Sequence, residues 1–166
     1  MRQPASLEGT IMAHILVVDD DELIAELASE ILLAEGHACG WVTSGEDALK
    51  LLAWKRPDLV LLDQDMPGMS GAQVLRQIRT SAQLYDLPVI MFTAMSGARD
   101  EEQALYNGAQ DYIRKPFDQK FMLLKIRQVL AARLEGPRHR DLRQLLEETS
   151  GTGPSPSKQS PVQRYI

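Results

Sequence analysis

Four apolar runs in this 166-residue chain each end on a residue able to handle a phosphoryl group or a hard cation. Ile15-Leu16-Val17-Val18 runs into Asp19-Asp20-Asp21, Leu59-Val60-Leu61-Leu62 into Asp63, Val89-Ile90-Met91-Phe92 into Thr93, and Tyr112-Ile113-Arg114 into Lys115-Pro116. As parallel strands of one sheet they would share the edge at which open α/β sheets hold ligands. Asp19, Asp20 and Asp63 then offer the oxygen donors that Mg²⁺ takes. A carboxylate can also be the nucleophile that accepts a phosphoryl group, forming an acyl phosphate. Lys115 would supply a fixed positive charge and Thr93 a hydroxyl to the equatorial phosphoryl oxygens, whose charge must be neutralised. None of the three histidines, His14, His37 and His139, is placed for this chemistry.

The segments between these runs must hold the ends in register. Leu23, Ile24, Leu27 and Ile31 recur at helical spacing, with Glu26 and Glu30 on the other face and Gly36 as the C-cap. A short strand, Ala38 to Val42, follows, and Ser44 with Asp47 forms an N-cap pair for a helix carrying Ala48, Leu49 and Leu52. Arg56-Pro57 ends that helix, because a residue before proline avoids the helical region. Leu59 to Leu62 is apolar throughout, as in a strand covered on both faces. The loop Met66 to Gly71 leads to a helix with Val74, Leu75 and Ile78 inward, and Leu87-Pro88 opens the next strand. Residues 98–107 form a polar helix with Ala104 and Leu105 as its apolar minimum, closed by Asn107-Gly108. The last strand is Asp111 to Arg114, and the last helix runs from about Asp118 to Glu135. Five strands alternating with five helices through short connections specify an α/β parallel sheet.

Composition agrees with one soluble domain: 44% apolar and 25% charged residues. The organisation expected is an N-terminal extension over 1–12, a folded domain over 13–135, and a C-terminal extension over 136–166 containing a short helix (Arg140 to Glu148) and a Gly/Ser/Pro-rich tail. Residues 14–135 carry 12 Lys+Arg against 19 Asp+Glu, an acidic body that argues against direct DNA binding. The single cysteine, Cys39, reads as a small buried strand residue and cannot form an internal disulfide, which fits a cytoplasmic setting. No stretch reads as a signal peptide or a membrane anchor.

Each site residue also has a plainer role. The three aspartates suit an N-cap and dipole partners, and Asp63 could open an Asx-turn. Thr93 could be a buried strand threonine, Lys115 a solvated charge and Tyr112 a core residue. The functional assignment rests on four strand ends offering mutually compatible chemistry at once.

At these residues the chain resembles the receiver domain of two-component response regulators. The resemblance covers about residues 13 to 134 and is carried, in order, by Ile15 to Asp21, Leu61 to Gly71 with its Asp63-Gln64-Asp65-Met66-Pro67-Gly68 core, Pro88 to Ala94, and Gly108 to Phe117. It implies a doubly wound five-stranded parallel sheet with helices on both faces, the flavodoxin-like receiver fold. It implies a phosphoacceptor at Asp63 and Mg²⁺ held by the Asp20 and Asp63 side chains and the Asp65 carbonyl, with Asp19 helping through water. It further implies that Thr93 and Lys115 contact the phosphoryl group, that Tyr112 changes rotamer as Thr93 moves, and that the Lys115-Pro116 bond is cis. One departure lies in the last helix, where Phe121 and Leu124 are apolar against the family's polar or small residues.

The function expected is a phosphorylation-controlled switch in two-component phosphorelay signalling, not an enzyme. A histidine kinase or phosphotransfer protein would supply the phosphoryl group, and the face made by the fourth helix, fifth strand and fifth helix would bind a partner or a second copy of the chain. On the last helix Met122, Ile126 and Val129, with Leu123 and Leu130, make the core stripe. Phe121 and Leu124 then either widen that stripe, are covered by the segment Arg140 to Glu148, or form the partner face. Two alternatives stand beside this reading. Asp63-Gln64-Asp65 after an apolar strand also fits the nucleophile motif of a haloacid-dehalogenase-like phosphohydrolase, although Asp19-Asp20 precedes the nucleophile and Met66-Pro67 follows the motif. The chain could also be the receiver fragment of a longer regulator with an output domain.

Overall fold

The computed structural model describes residues 11–94 and 97–135. The chain divides into two units, 1–133 and 134–166, and the helix and tail expected within 136–166 lie outside the described residues. In chain order the elements are β1 (His14–Val18), α1 (Glu22–Ala34), β2 (Ala38–Val42), α2 (Gly45–Leu52), β3 (Leu59–Leu62), α3 (Gly71–Thr80), β4 (Val89–Thr93), α4 (Ala98–Tyr106), β5 (Asp111–Arg114) and α5 (Gln119–Glu135). The sheet is parallel throughout, in the order β2-β1-β3-β4-β5. From β1 the chain builds outward to β2, then returns to the other side for β3. The β1/β3 boundary is therefore the topological switch point.

Alternation along the strands sorts the core into two layers. Ile15, Val17, Leu59, Leu61, Ile90, Phe92 and Ile113 meet Ala25, Ala28 and Leu32 of α1 and Met122 and Ile126 of α5. Leu16, Val18, Val60, Leu62, Val89 and Met91 meet Ala48 and Leu52 of α2 and Val74, Leu75 and Ile78 of α3. With both faces covered, β3 and β4 are buried at every position.

Helix ends follow the local chemistry. Asp21 caps α1 by accepting from the Leu23 and Ile24 N–H groups, and Gly36 at φ +91° closes it, with His37 N–H donating to the Leu32 carbonyl. Ser44 Oγ accepts from the Asp47 N–H at 3.1 Å. Ser70 and Gln73 form a full capping box on α3.

Four expectations need correction. On α1 the buried residues are Ala25, Ala28, Ser29 and Leu32; Leu23 is 78% exposed and Leu27 49%. Small residues let the helix approach the sheet closely, which leaves Leu23 and Leu27 facing solvent while Ile24 and Ile31 are only partly covered. The α2 helix ends at Leu52, with Ala53 as its C-cap, before the Arg56-Pro57 pair is reached. Cys39 is half-buried, because β2 is an edge strand. Leu105 on α4 is exposed, and Ala104 alone of the expected pair packs against the core.

Candidate functional site

Strand register brings the chemistry together. Val18 is paired with Val42 on one side and Leu62 on the other, so Asp19 and Asp63 leave adjacent strands at the same level. Their backbones extend the ladders: Asp19 N–H donates to the Val42 carbonyl at 3.1 Å, and Asp63 N–H to the Val18 carbonyl at 2.9 Å. Lys115 N–H donates to the Thr93 carbonyl at 3.0 Å, which continues the pairing of β5 with β4.

The three aspartates divide their work. Asp21 spends its carboxylate on the α1 cap, and Asp19 Oδ1 accepts from the Asp21 N–H at 3.0 Å. Asp19 is fully buried, Asp63 nearly so, and Asp20 is exposed. One carboxylate oxygen from each of Asp19, Asp20 and Asp63 lies within 4.8 Å of the other two. Lys115 reaches into this group. Its Nζ bonds Asp19 Oδ2, stands 3.6 Å from Asp63 Oδ1, and lies 5.0 Å from the centroid of the Phe92 ring. The Lys115-Pro116 bond is cis. The solvated-charge reading of Lys115 is thus replaced by a largely buried ammonium between two carboxylates.

Burial pushes the Asp63 carboxyl up from its ordinary 3.8 to about 7. Lys115 opposes that rise, Asp19 adds to it, the Asp65 N–H that donates to the carboxylate opposes it, and Asp20 adds to it. Carboxylates crowded in this way with one ammonium carry an excess of negative charge, and their hard oxygen donors fit a divalent cation. Asp65 itself is exposed.

Thr93 is buried at the end of β4, and Tyr112 is buried on β5 with its phenol pushed above its ordinary value, by desolvation first and Asp100 second. Both line one cavity of about 80 Å³, together with Gln64, Asp100, Gln103 and Asn107. The structure therefore brings Asp19, Asp20, Asp63 and Lys115 into one cluster, with Thr93 and Tyr112 on the adjoining cavity. Phe121 and Leu124 stand apart on α5, 49% and 46% exposed, with Lys125 Nζ lying 5.1 Å from the Phe121 ring centroid.

Three supporting residues escaped the sequence reading. Gln64 Oε1 accepts from the Ala72 N–H at 2.8 Å and ties the loop after β3 to the start of α3. Gly71 lets that loop fold back: a Cβ there would sit 2.2 Å from the Asp63 carbonyl oxygen. Phe92 reads in sequence as core alone, yet its ring lies beside the Lys115 ammonium. Only Gly71 left a signal, a glycine directly after a helix-capping serine.

Comparison with known proteins decides the family. The model of the response regulator receiver domain matches residues 15–127. The chain belongs to the response regulator receiver family. Among curated relatives, the transcriptional regulatory protein AfsQ1 of Streptomyces coelicolor is 40% identical over 119 residues, covering 72% of this chain and 52% of that protein. The DNA-binding response regulator MtrA of Mycobacterium tuberculosis is 40% identical over 118 residues, covering 71% and 50%. The chain thus spans about half the length of the curated relatives it matches. Among solved structures, the chemotaxis response regulator CheY4 of Vibrio cholerae aligns with a TM-score of 0.67 at 27% identity, over 71% of this chain and 98% of that one. A CheY-like receiver domain protein from Methanospirillum hungatei aligns at 0.70 and 27% identity, over 75% and 98%. The fold is accordingly the flavodoxin-like receiver fold, and the domain is one of phosphorylation-controlled two-component signalling. Receiver domains take phosphoryl groups from histidine kinases and bind Mg²⁺ at an acidic pocket. No helix among the described residues is long and apolar enough to cross a membrane.

Proposed function

We propose that Asp63 is the phosphoacceptor of this receiver domain. The observation that carries the proposal is the position of its carboxylate, at the end of a central strand, 3.6 Å from Lys115 Nζ and within 4.8 Å of oxygens of Asp19 and Asp20. In the transfer, an Asp63 oxygen forms a bond to phosphorus as the bond from phosphorus to the donor's histidine nitrogen breaks, leaving an acyl phosphate. Lys115 balances charge on the phosphoryl oxygens, and Thr93 donates its hydroxyl to one of them. Asp20 and Asp63, with the Asp65 carbonyl, would hold Mg²⁺, and Asp19 beside them would add to the negative charge that draws the cation in. The bound cation supplies electrostatic stabilisation of the crowded anionic oxygens.

Phosphorylation then shifts an existing equilibrium between two conformations in which Thr93 and Tyr112 rearrange around their shared cavity. The output is a changed affinity of the α4-β5-α5 face, including Phe121 and Leu124, for a protein partner or a second copy of the chain. The donor is a histidine kinase or a phosphotransfer protein, the setting cytoplasmic, and turnover of small phosphoesters is not part of the role. The domain comprises residues 13–135, with extensions over 1–12 and 136–166, and its acidic body makes no direct contact with DNA. A second reading places this receiver within a longer transcriptional regulator. It is favoured by relatives, AfsQ1 and MtrA, that are named for transcription or DNA binding and are about twice as long as the matched region.

Labelling by acetyl phosphate, followed as intact mass, tests the site. The wild-type protein should gain one phosphoryl group with Mg²⁺ and much less with a chelator. Asp20→Asn should label about tenfold more slowly or worse at limiting Mg²⁺, having lost a charged oxygen ligand. Labelling that is independent of both Mg²⁺ and Asp20 would overturn the assignment.

A further inference from the structure

Arg79, near the end of α3, takes no part in the site, yet its guanidinium is fully committed. Nε and Nη2 both donate to the Gly108 carbonyl, at 2.8 and 2.6 Å. Nη1 donates to the Leu87 carbonyl at 2.7 Å and the Tyr85 carbonyl at 3.2 Å. Nη2 also donates to Gln110 Oε1 at 2.9 Å, an atom that accepts from the Val89 N–H at 2.7 Å. One side chain therefore ties α3 to the loop before β4, to the first residue of β4, and to the turn between α4 and β5. Gly108 is a glycine on two counts: its φ is +100°, and a Cβ there would come within 2.9 Å of Arg79 Nε. A planar fork of five donors can serve these acceptors together, whereas a lysine ammonium cannot.

Among the described residues, the opposite end of α4 shows no such clamp. Its N-cap is Gly97, whose N–H donates to Asp100 Oδ2 at 3.2 Å, and no residue from Ala98 to Tyr106 is buried. The pair of Arg114 with Glu101, 3.2 Å apart, is half-exposed, where ion pairs contribute little. The cavity of about 80 Å³ that α4 shares with Thr93 and Tyr112 provides room for movement.

We propose that Arg79 is the pivot of the switch: it clamps the Gly108 end of α4 to α3 and β4, so that the helix swings about that end and its Ala98 end carries the displacement. The proposal rests on Asp63 being the phosphoacceptor. Arg79 touches no reacting atom and acts as a positioning residue.

Amide hydrogen exchange on the full chain, with and without beryllofluoride and Mg²⁺ as the phosphoryl mimic, tests the pivot. In the wild-type protein the amides of Asn107, Gly108 and Ala109 should exchange about tenfold more slowly than those of Glu102 and Gln103, and within α4 and the turn after it the mimic should alter exchange from Ala98 to Gln103 only. In Arg79→Lys the slow class should be lost while β1 and β3 stay protected, and the mimic should then alter the whole helix. A wild-type response as large at Asn107 to Ala109 as at the Ala98 end overturns the pivot, as does an Arg79→Lys protein that behaves like wild type. If Arg79→Lys does not fold, the wild-type pattern alone decides. Phosphoryl uptake on Asp63 with no response in α4 overturns the pivot and spares the phosphoacceptor assignment; no uptake overturns both.

Discussion

At Asp63, burial and charge act in opposition, and their balance has a measurable consequence. Folding raises this carboxyl from its ordinary 3.8 to about 7, so the folded state holds the proton more tightly than the unfolded one. By linkage, stability is lost as pH rises between those two values, because the folded state must then carry an ionised carboxylate in poor solvation. Asp63→Asn removes that cost. In metal-free buffer the variant should be more stable than wild type by roughly 2 kcal/mol at pH 8, with the difference vanishing below about pH 4. Thermal melts across pH 4 to 8 check this, and a gap that does not widen with pH would show that the carboxylate is better solvated than its surroundings indicate. Residue types made most of this cluster legible in the sequence, since carboxylates, a hydroxyl and an ammonium at strand ends have compatible chemistry. Gln64 was not legible, and Gly71 showed only as a glycine directly after a helix-capping serine. Their roles arise from the path of the loop over the Asp63 backbone, which no local pattern encodes. For Gly71→Ala, a Cβ 2.2 Å from the Asp63 carbonyl oxygen should cost about 1–3 kcal/mol and slow phosphorylation along with it, as read by denaturant melts and labelling rates.

Among the elements, strands were easier to read than helix faces. The Ala38–Val42 and Leu59–Leu62 strands match their sequence-based bounds, because an apolar run bounded by turn residues is a local signal. The face of α1 was misread because bulk hydrophobicity pointed to Leu23 and Leu27, whereas close packing selected Ala25 and Ala28. On α5 the same reasoning held, since Met122, Leu123, Ile126, Val129 and Leu130 are all buried. Phe121 and Leu124 lie beyond that stripe, and the segment Arg140 to Glu148, expected as a cover for them, is outside the described residues. Lys125 joins Phe121 to β5: it approaches the ring and pairs with Asp111 at 2.6 Å. Phe121→Glu with Leu124→Glu should therefore change stability by about 0.5 kcal/mol or less per site, while Ile126→Ala should cost about 2–5 kcal/mol. Size-exclusion chromatography and binding assays on the double variant should show lost association with unchanged phosphorylation. A large loss of stability with association intact would place the pair in the core.

For the whole molecule, the strand order β2-β1-β3-β4-β5 is what converts scattered residues into a site. Asp19 and Asp63 are separated by most of two βα units in the chain, yet the topological switch sets them side by side. That order is non-local; the sequence reading reached only a doubly wound sheet, through resemblance to a family, whereas the alternation of strands and helices was visible directly. The same architecture gives the domain a tightly packed centre and a loosely packed helix: β3 and β4 are buried throughout and β1 from Ile15 to Val18, whereas α4 buries no residue. Thr93 and Tyr112 line one cavity with Asp100, Gln103 and Ala104 of α4, which is the route by which the proposed phosphorylation of Asp63 would bias that helix. All of this depends on where the phosphoryl group goes. The most direct measurement is the intact mass of wild-type and Asp63→Asn proteins after incubation with acetyl phosphate and Mg²⁺, each first shown to be folded by circular dichroism. The expected result is a gain of one phosphoryl group in wild type and none in Asp63→Asn; labelling of Asp63→Asn at the wild-type rate would contradict it.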